Sequence, residues 1–253
     1  MKNQFQILIL LTTLFFVQSC GVKNYRSTSQ PITHEIWNTL LKDYVTEAGH
    51  VNYKGIIADS VTFNKYIQLL QNHHPNKKNW SEDERLAYWL NAYNAFTVKL
   101  IVEHYPVKSI KDIKNGIPFV NTVWDIKFIK IEGATYDLNN IEHGIIRKRF
   151  KEPRIHFAAN CASISCPRLR NEAYMADRID DQLADQARYF MANHVKNIMT
   201  PDKLQLSKLF KWYKGDFTKG QTLIEFLNLY APVEINKDAD IEHMDYLWTL
   251  NGE

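Results

Sequence analysis

Thirteen consecutive residues, Leu86 to Val98, carry no charge. They have helical spacing: Leu86, Trp89, Leu90, Tyr93, Thr97 and Leu100 form one stripe, and Ala87, Asn91, Asn94 and Val98 form another. Ser81-Glu82-Asp83-Glu84 ahead of them is a capping box, in which the Ser81 hydroxyl accepts from the Glu84 amide and Glu84 reaches back. The pattern predicts a helix running to about His104, before Pro106. A surface helix needs a polar face, and this one has none over most of its length, so it should be central and largely buried. Asn91 and Asn94 then become buried amides that need partners. Either they tie the helix to a neighbouring loop, which is the preferred reading, or they line a pocket and orient a reactive group.

The rest of the chain supplies what surrounds that helix. Ile36, Trp37, Leu40, Leu41 and Tyr44 predict a helix within 32–45, and Phe63 to Leu70 predicts another. Gly49 to Tyr53 reads as a turn into a short strand, and His73-His74 as a solvated polar turn. Lys127–Ile131, Gly133 and Ala134–Asp137 predict a hairpin. Asp137 is a good N-cap for a helix over Leu138–Phe150, with Leu138, Ile141, Ile145 and Arg149 inward. Arg154 to Asn160 alternates as a strand does. Helices are expected at Asp177–Asn193 and Thr222–Tyr230, and a strand at Lys203–Phe210 with Leu204, Leu206 and Lys208 on one face. The closing Tyr246–Asn251 is expected to dock as an edge strand. The fold class is α+β: several helices, one long and central, packed around a small, mainly antiparallel sheet.

The first nineteen residues hold one charge, Lys2, then an apolar run from Ile7 to Val17 and Gln18-Ser19-Cys20. This describes an export signal, and eleven apolar residues are too few to span a bilayer. Val17-Gln18-Ser19-Cys20 resembles a bacterial lipobox, although Gln18 is not the favoured residue there. The expected organisation is a signal peptide at 1–19, a tether at 20–30 beginning with a lipidated Cys20, and a single globular domain at 31–253. The location implied is the bacterial cell envelope, lipid-anchored, with the outer membrane favoured and the chain facing the periplasm or the surface. The expected partners are the membrane, through that anchor, and an unidentified substrate or protein. Without Lys2 the chain has 30 basic against 28 acidic residues, which gives no argument for nucleic acid.

Once Cys20 is set aside as an anchor, two cysteines remain. They lie in His156-Phe157-Ala158-Ala159-Asn160-Cys161-Ala162-Ser163-Ile164-Ser165-Cys166-Pro167-Arg168. Pro167 favours the first position of a helix, which would make Cys166 its N-cap. A thiol there faces unpaired amides and the positive end of the helix dipole, which lowers its pKa. Cys166 would be the nucleophile, His156 or His143 the base, and Glu142, Asn160, Asn91 or Asn94 the group that orients the imidazole. The reaction class would be acyl transfer at an amide, ester or thioester. Three other readings stand beside it. Cys161 and Cys166 form a small structural disulfide loop in a non-enzymatic envelope binding or scaffold module, they are inert buried thiols, or they join His156 in a metal site. The metal reading is the weakest, because the spacing fits no standard zinc pattern. No cofactor motif is present: there is no phosphate loop, dinucleotide fingerprint or Gly-x-Ser-x-Gly elbow.

Three stretches together resemble the family called domain of unknown function 547. They are Leu86–Phe96, the Leu138–Arg147 helix with Glu142-His143, and His156–Pro167; the ending Tyr246–Asn251 is also similar. The resemblance covers most of 31–253. It implies that the motif residues belong together in space. It implies no activity, and it agrees with an envelope lipoprotein, since bacterial members often look like one. Arg168, just past the last motif, is a candidate pocket or structural residue.

Overall fold

The charge-free segment is a 23-residue helix, Glu82–His104, and every residue from Leu86 to Val98 is buried in it. Its capping box closes on both sides: the Ser81 hydroxyl accepts the Glu84 N–H at 3.1 Å, and Glu84 accepts the Ser81 N–H at 2.6 Å. The computed structural model describes residues 25–114 and 122–253. The expected signal peptide and Cys20 lie outside them. Residues 25–30, the end of the expected tether, run along the body, where Ser29 bonds the His74 carbonyl at 2.6 Å and receives the Trp80 indole N–H.

In chain order the elements are α1 (Glu35–Tyr44), α2 (Tyr53–Ala58), α3 (Ser60–Gln71), α4 (Glu82–His104), the hairpin β1 (Ile129–Ile131) and β2 (Ala134–Tyr136), a π-helix Asn140–Ile146 continued by α5 (Arg147–Arg149), α6 (Ile179–Ala192), β3 (Ile198–Met199), β4 (Lys203–Leu206), α7 (Lys208–Trp212), α8 (Lys214–Phe217), α9 (Leu223–Asn228) and β5 (Asp240–His243). The fold is α+β. The sheet content is split: β1 and β2 are antiparallel, and β4 pairs antiparallel with β3 and parallel with β5. No helix among the described residues is long and apolar enough to cross a membrane.

Two apolar clusters meet beside α4. The larger wraps α4 with α1, α3 and the hairpin, where Trp37 stacks on Tyr66 with ring centroids 5.6 Å apart. The smaller is built on Phe157, Phe190, Phe210, Phe217 and Phe226. The segment Pro153–Phe157 joins them, since Ile155 belongs to the first cluster and Phe157 to the second.

Several local expectations are corrected. Arg154–Asn160 is not a strand: Pro153–Phe157 is a 3₁₀ helix, because Pro153 occupies a first helical position and Glu152 caps it by accepting the Arg154 N–H at 2.9 Å. No helix starts at Pro167; residues 167–170 have no regular secondary structure and are held by tertiary bonds, so Cys166 is not an N-cap. Asp137 does cap the next helix, accepting the Asn140 N–H at 2.5 Å. That helix then widens to π geometry, with the Arg147 N–H reaching back to Glu142 O. The wider turn buries Ile141, Glu142, Ile145 and Ile146 and leaves Arg149 exposed rather than inward. The turn at Gly49–Tyr53 contributes only a bridge at Val51 before α2 begins at Tyr53. Lys208 opens α7 instead of continuing β4. His74 is buried, not solvated, with Nε2 at 2.8 Å from the Tyr136 hydroxyl.

The C-terminal segment docks without forming a regular strand. Ser163 bridges Leu250, and Val51 bridges Gly252. The approach at Gly252 is so close that a Cβ there would fall 2.0 Å from the Val51 carbonyl oxygen. This docking presses 246–251 against the cysteine loop.

Candidate active site

The cysteine loop is braced from behind by amides. Asn94 of α4 accepts the Asn160 N–H at 2.9 Å and donates to the Ala158 carbonyl at 3.0 Å. Asn160 accepts the Ala162 N–H at 2.9 Å and donates to the Pro167 carbonyl at 2.7 Å, spanning both ends of the loop. Asn91 does the same work one turn away, with both polar atoms on the Tyr174 backbone. The preferred structural reading of the two α4 asparagines is the one observed. Asn160 touches no imidazole. Arg168 is also a brace: it reaches the Glu47 carbonyl, Asp185 and Gln186, and its guanidinium lies 3.5 Å from the Tyr189 ring centre.

Within this brace Ala162 takes a left-handed conformation, φ +57°. An alanine there costs about 1–2 kcal/mol, and only the surrounding bonds hold it. The turn brings the sulfurs of Cys161 and Cys166 to 2.9 Å, both as free thiols. Cys161 is half-buried at the wall of a cleft, whereas Cys166 is only 3% exposed.

The two sulfurs are not equivalent. Cys161 Sγ lies 2.9 Å from Cys166 Sγ, with the Ser163 and Tyr246 hydroxyls each at 3.3 Å. The Cys166 S–H and these two hydroxyls favour the thiolate and lower the Cys161 pKa against the opposing effect of burial. Burial pushes the Cys166 thiol well up, and so does the neighbouring sulfur. The acidified thiol is therefore Cys161 and not Cys166, and its cause is side-chain hydroxyls and a neighbouring thiol rather than a helix dipole.

The cleft has a volume of about 290 Å³ and is lined by both cysteines, His156, His143, Glu142 and aromatic side chains of α7 and the C-terminal segment. His156 lies flat against Tyr213, ring centroids 3.8 Å apart, and its Nε2 is 2.8 Å from Asp216 Oδ2. Burial lowers the His156 pKa to about 4 although Asp216 opposes this, so the imidazole is neutral at pH 7. A neutral ring beside a carboxylate places its proton on Nε2 and leaves Nδ1 as a base. Burial alone would raise the Asp216 pKa. Hydrogen bonds from Arg147, His156 and Lys219 outweigh it and hold the carboxyl well below the usual range.

Glu142 hydrogen-bonds no imidazole directly, its Oε1 lying 3.8 Å from His143 Nδ1. It accepts from the Tyr213 hydroxyl at 2.6 Å and the Tyr93 hydroxyl at 3.0 Å. His143 is exposed, with Nδ1 at 3.0 Å from an Arg147 guanidinium nitrogen. Neither His156 nor His143 hydrogen-bonds a thiol in this structure. No group of three or more His, Cys, Asp or Glu among the described residues is placed to hold a metal ion.

Residues 77–191 match the family model described as "Protein of unknown function, DUF547". That stretch of the chain is similar to the DUF547 family. The DUF547 match contains α4, the Glu142-His143 helix, His156, both loop cysteines and Arg168, and so covers the resemblance carried by the first three motifs. Tyr213, Asp216 and Tyr246 fall outside the DUF547 match and complete the cleft from the C-terminal side. No curated protein and no solved structure matches the chain.

Asp216 and Tyr246 are the functional candidates that sequence reading missed as site residues. Asp216 sits in Lys214-Gly215-Asp216-Phe217, where nothing local marks it, and it meets His156 only through the tertiary fold. Tyr246 carried a signal, its place in an aromatic C-terminal motif, but that motif was read as docking alone.

Proposed function

We propose that this protein is a thiol-dependent acyl-transfer enzyme, a hydrolase or transferase, with Cys161 as the nucleophile. The observation that carries the reading is the set of three hydrogen-bonding groups, of Cys166, Ser163 and Tyr246, around a sulfur that opens on a cleft shared with a neutral His156. These groups favour the thiolate and no imidazole hydrogen-bonds the sulfur, so acylation needs no help from the histidine. The second half-reaction does: water or an acceptor must lose a proton, and His156 Nδ1 takes it while Asp216 fixes the tautomer. Tyr213, stacked on His156, and Glu142 behind it keep the ring in place.

The setting we propose is the bacterial envelope, with the chain held to a membrane through a lipidated Cys20. The apolar run Ile7–Val17 followed by Gln18-Ser19-Cys20 supports this. Radiolabelled palmitate should enter the full chain in a bacterial host and be lost in Cys20→Ser; labelling that survives the substitution would overturn the anchor.

The test of the chemistry is acyl-enzyme trapping. Ester and thioester probes of increasing chain length are mixed with Cys166→Ser protein, and adducts are located by intact mass and peptide mapping. Acylation at Cys161, absent in Cys161→Ala with an unchanged far-UV spectrum, supports the reading; no adduct at Cys161 at any pH sinks it. A second reading, a non-enzymatic ligand-binding module, is favoured by the absence of a histidine–thiol bond and by the aromatic wall of Trp124, Trp212 and Trp248. Ligand binding that survives Cys161→Ala unchanged would select it.

A further inference from the structure

The asymmetry between the two loop cysteines exceeds what acyl transfer requires. Acyl transfer uses one sulfur. This loop holds two free thiols 2.9 Å apart, one half-exposed in the cleft and the other 3% exposed behind it. The loop is also pinned so that the pair cannot drift apart. Asn160 bonds the Pro167 carbonyl and the Ala162 N–H, the Cys166 N–H bonds the Ser163 carbonyl at 3.1 Å, and the Cys161 N–H points at the Cys166 sulfur at 2.9 Å. Closing the sulfurs to a bonded length of about 2.05 Å needs a movement of roughly 1 Å.

We propose that Cys161 and Cys166 act as the attacking and the resolving thiol of a thiol–disulfide exchange activity whose substrate is an accessible disulfide in a small molecule or a peptide. The Cys161 thiolate attacks one sulfur of the substrate disulfide. A Cys161–substrate sulfur bond forms, the substrate S–S bond breaks, and the first substrate sulfur leaves as a thiolate. That thiolate takes up the proton lost by Cys166. The Cys166 thiolate then attacks Cys161 Sγ, forms the Cys161–Cys166 disulfide and expels the second substrate thiolate. The substrate disulfide gains two electrons and the protein dithiol loses two.

The placement of the groups fits each step. Both sulfurs line the cleft, but Cys161 is the more exposed and has the Ser163 and Tyr246 hydroxyls beside it, which favour its thiolate, so the first attack is selective. Cys166 is shielded from external disulfides and already touches the sulfur it must attack. The Lys196 ammonium bonds the Cys166 carbonyl, placing a cation beside the pair as negative charge moves between the sulfurs.

The proposal shares its nucleophile with the acyl-transfer reading but needs a second thiol at Cys166, where acyl transfer needs only a hydrogen-bonding group that serine also supplies. The experiment uses the full chain, reduced and then freed of reductant, with glutathione disulfide in one arm and a disulfide-bridged peptide in the other. Products are followed by intact mass after acid quench. The wild type is expected to lose two hydrogens with no lasting adduct. Cys166→Ser should accumulate a mixed disulfide at Cys161, and Cys161→Ser should react at least about 100-fold more slowly than wild type. Reaction in the first arm alone identifies a small-molecule disulfide, and reaction in the second alone identifies a peptide disulfide. A lasting glutathione adduct on the wild type with no internal disulfide overturns the proposal. So does the absence of reaction in both arms. Acyl trapping on Cys166→Ser succeeds or fails independently of either result.

Discussion

The Nε2 of His156 lies 2.8 Å from Oδ2 of Asp216, sixty residues further along the chain. Asp216 also receives Arg147 at 2.7 Å and Lys219 at 3.2 Å, so the carboxylate serves as hub for three donors. Asp216→Asn removes the charge and keeps the shape. In the acyl-transfer reading it should leave the burst of acylation within a few-fold of wild type, since no imidazole hydrogen-bonds the Cys161 thiol. Steady-state turnover should fall by about 100-fold, the size of one lost acid–base contribution. Burst-phase kinetics separate the two; an equal loss in both phases would deny His156 its place in deacylation. The same change should cost roughly 1–3 kcal/mol of stability by urea titration, because Arg147 is left without its carboxylate.

Acid should destabilise the fold well above the carboxylate range. Burial lowers the pKa of His34 to about 4 and that of His156 to about 4, and it lowers that of His74 as well. An unfolded imidazole titrates near 6.5. Between pH 6.5 and 4 the unfolded chain therefore binds protons that the folded chain refuses, so stability falls as pH falls, by up to about 1.4 kcal/mol per pH unit per group. Asp216 adds to the loss at lower pH, since its depressed pKa favours the folded state only while it is ionised. Urea midpoints at pH 7.5, 6 and 5 should decline steadily. His34→Gln should flatten the decline; an unchanged slope would show that His34 does not titrate with unfolding.

Asn94→Ala tests the brace behind the loop. It strands the Asn160 N–H and the Ala158 carbonyl, both in buried surroundings. The expected cost is about 2–4 kcal/mol, with the cysteine loop loosened before the helix melts. Hydrogen exchange should show lost protection at Asn160 and Ala162 while the centre of α4 stays protected. Uniform loss across α4 would mean that Asn94 holds the helix rather than the loop.

Much of this was legible in the sequence where local rules decide structure. The Ser81–Glu84 capping box, the charge-free helix after it and the Asp137 cap each depend on residues three or four apart, and each formed. The failures share a different cause. Pro167 is a fair helix-start signal, but Arg168 is drawn to the Glu47 carbonyl, Asp185 and Gln186, and these tertiary bonds keep the chain out of a helix. The alternation of Ile155, Phe157 and Ala159 imitated a strand because the 3₁₀ turn lies between two apolar clusters and buries consecutive side chains, His156 among them. The motif cysteines were found but their order of reactivity was inverted. That order depends on Tyr246, 85 residues beyond Cys161, and on burial, neither of which local spacing encodes.

Tyr246→Phe isolates that dependence. The tyrosine hydroxyl lies 3.3 Å from Cys161 Sγ and 3.2 Å from the Ser163 hydroxyl, while its ring packs between Trp212 and Trp248. Phenylalanine preserves the packing and removes one of the three hydrogen-bonding groups around the sulfur. The fold should be little changed, within about 1 kcal/mol, because no deeply buried partner is left unsatisfied beyond Ser163. The thiolate, however, loses a hydrogen bond that its protonated form needs less, so the Cys161 pKa must rise. The rate of iodoacetamide alkylation at pH 7 should drop several-fold, and its pH profile should move to higher pH, converging with wild type once both sulfurs are ionised. Tyr246→Ala should lower the melting temperature as well, since the aromatic wall loses a ring. A Tyr246→Phe profile that superimposes on wild type would show that the hydroxyl does not act on Cys161, and would leave the Cys166 and Ser163 hydrogen bonds as the source of its acidity.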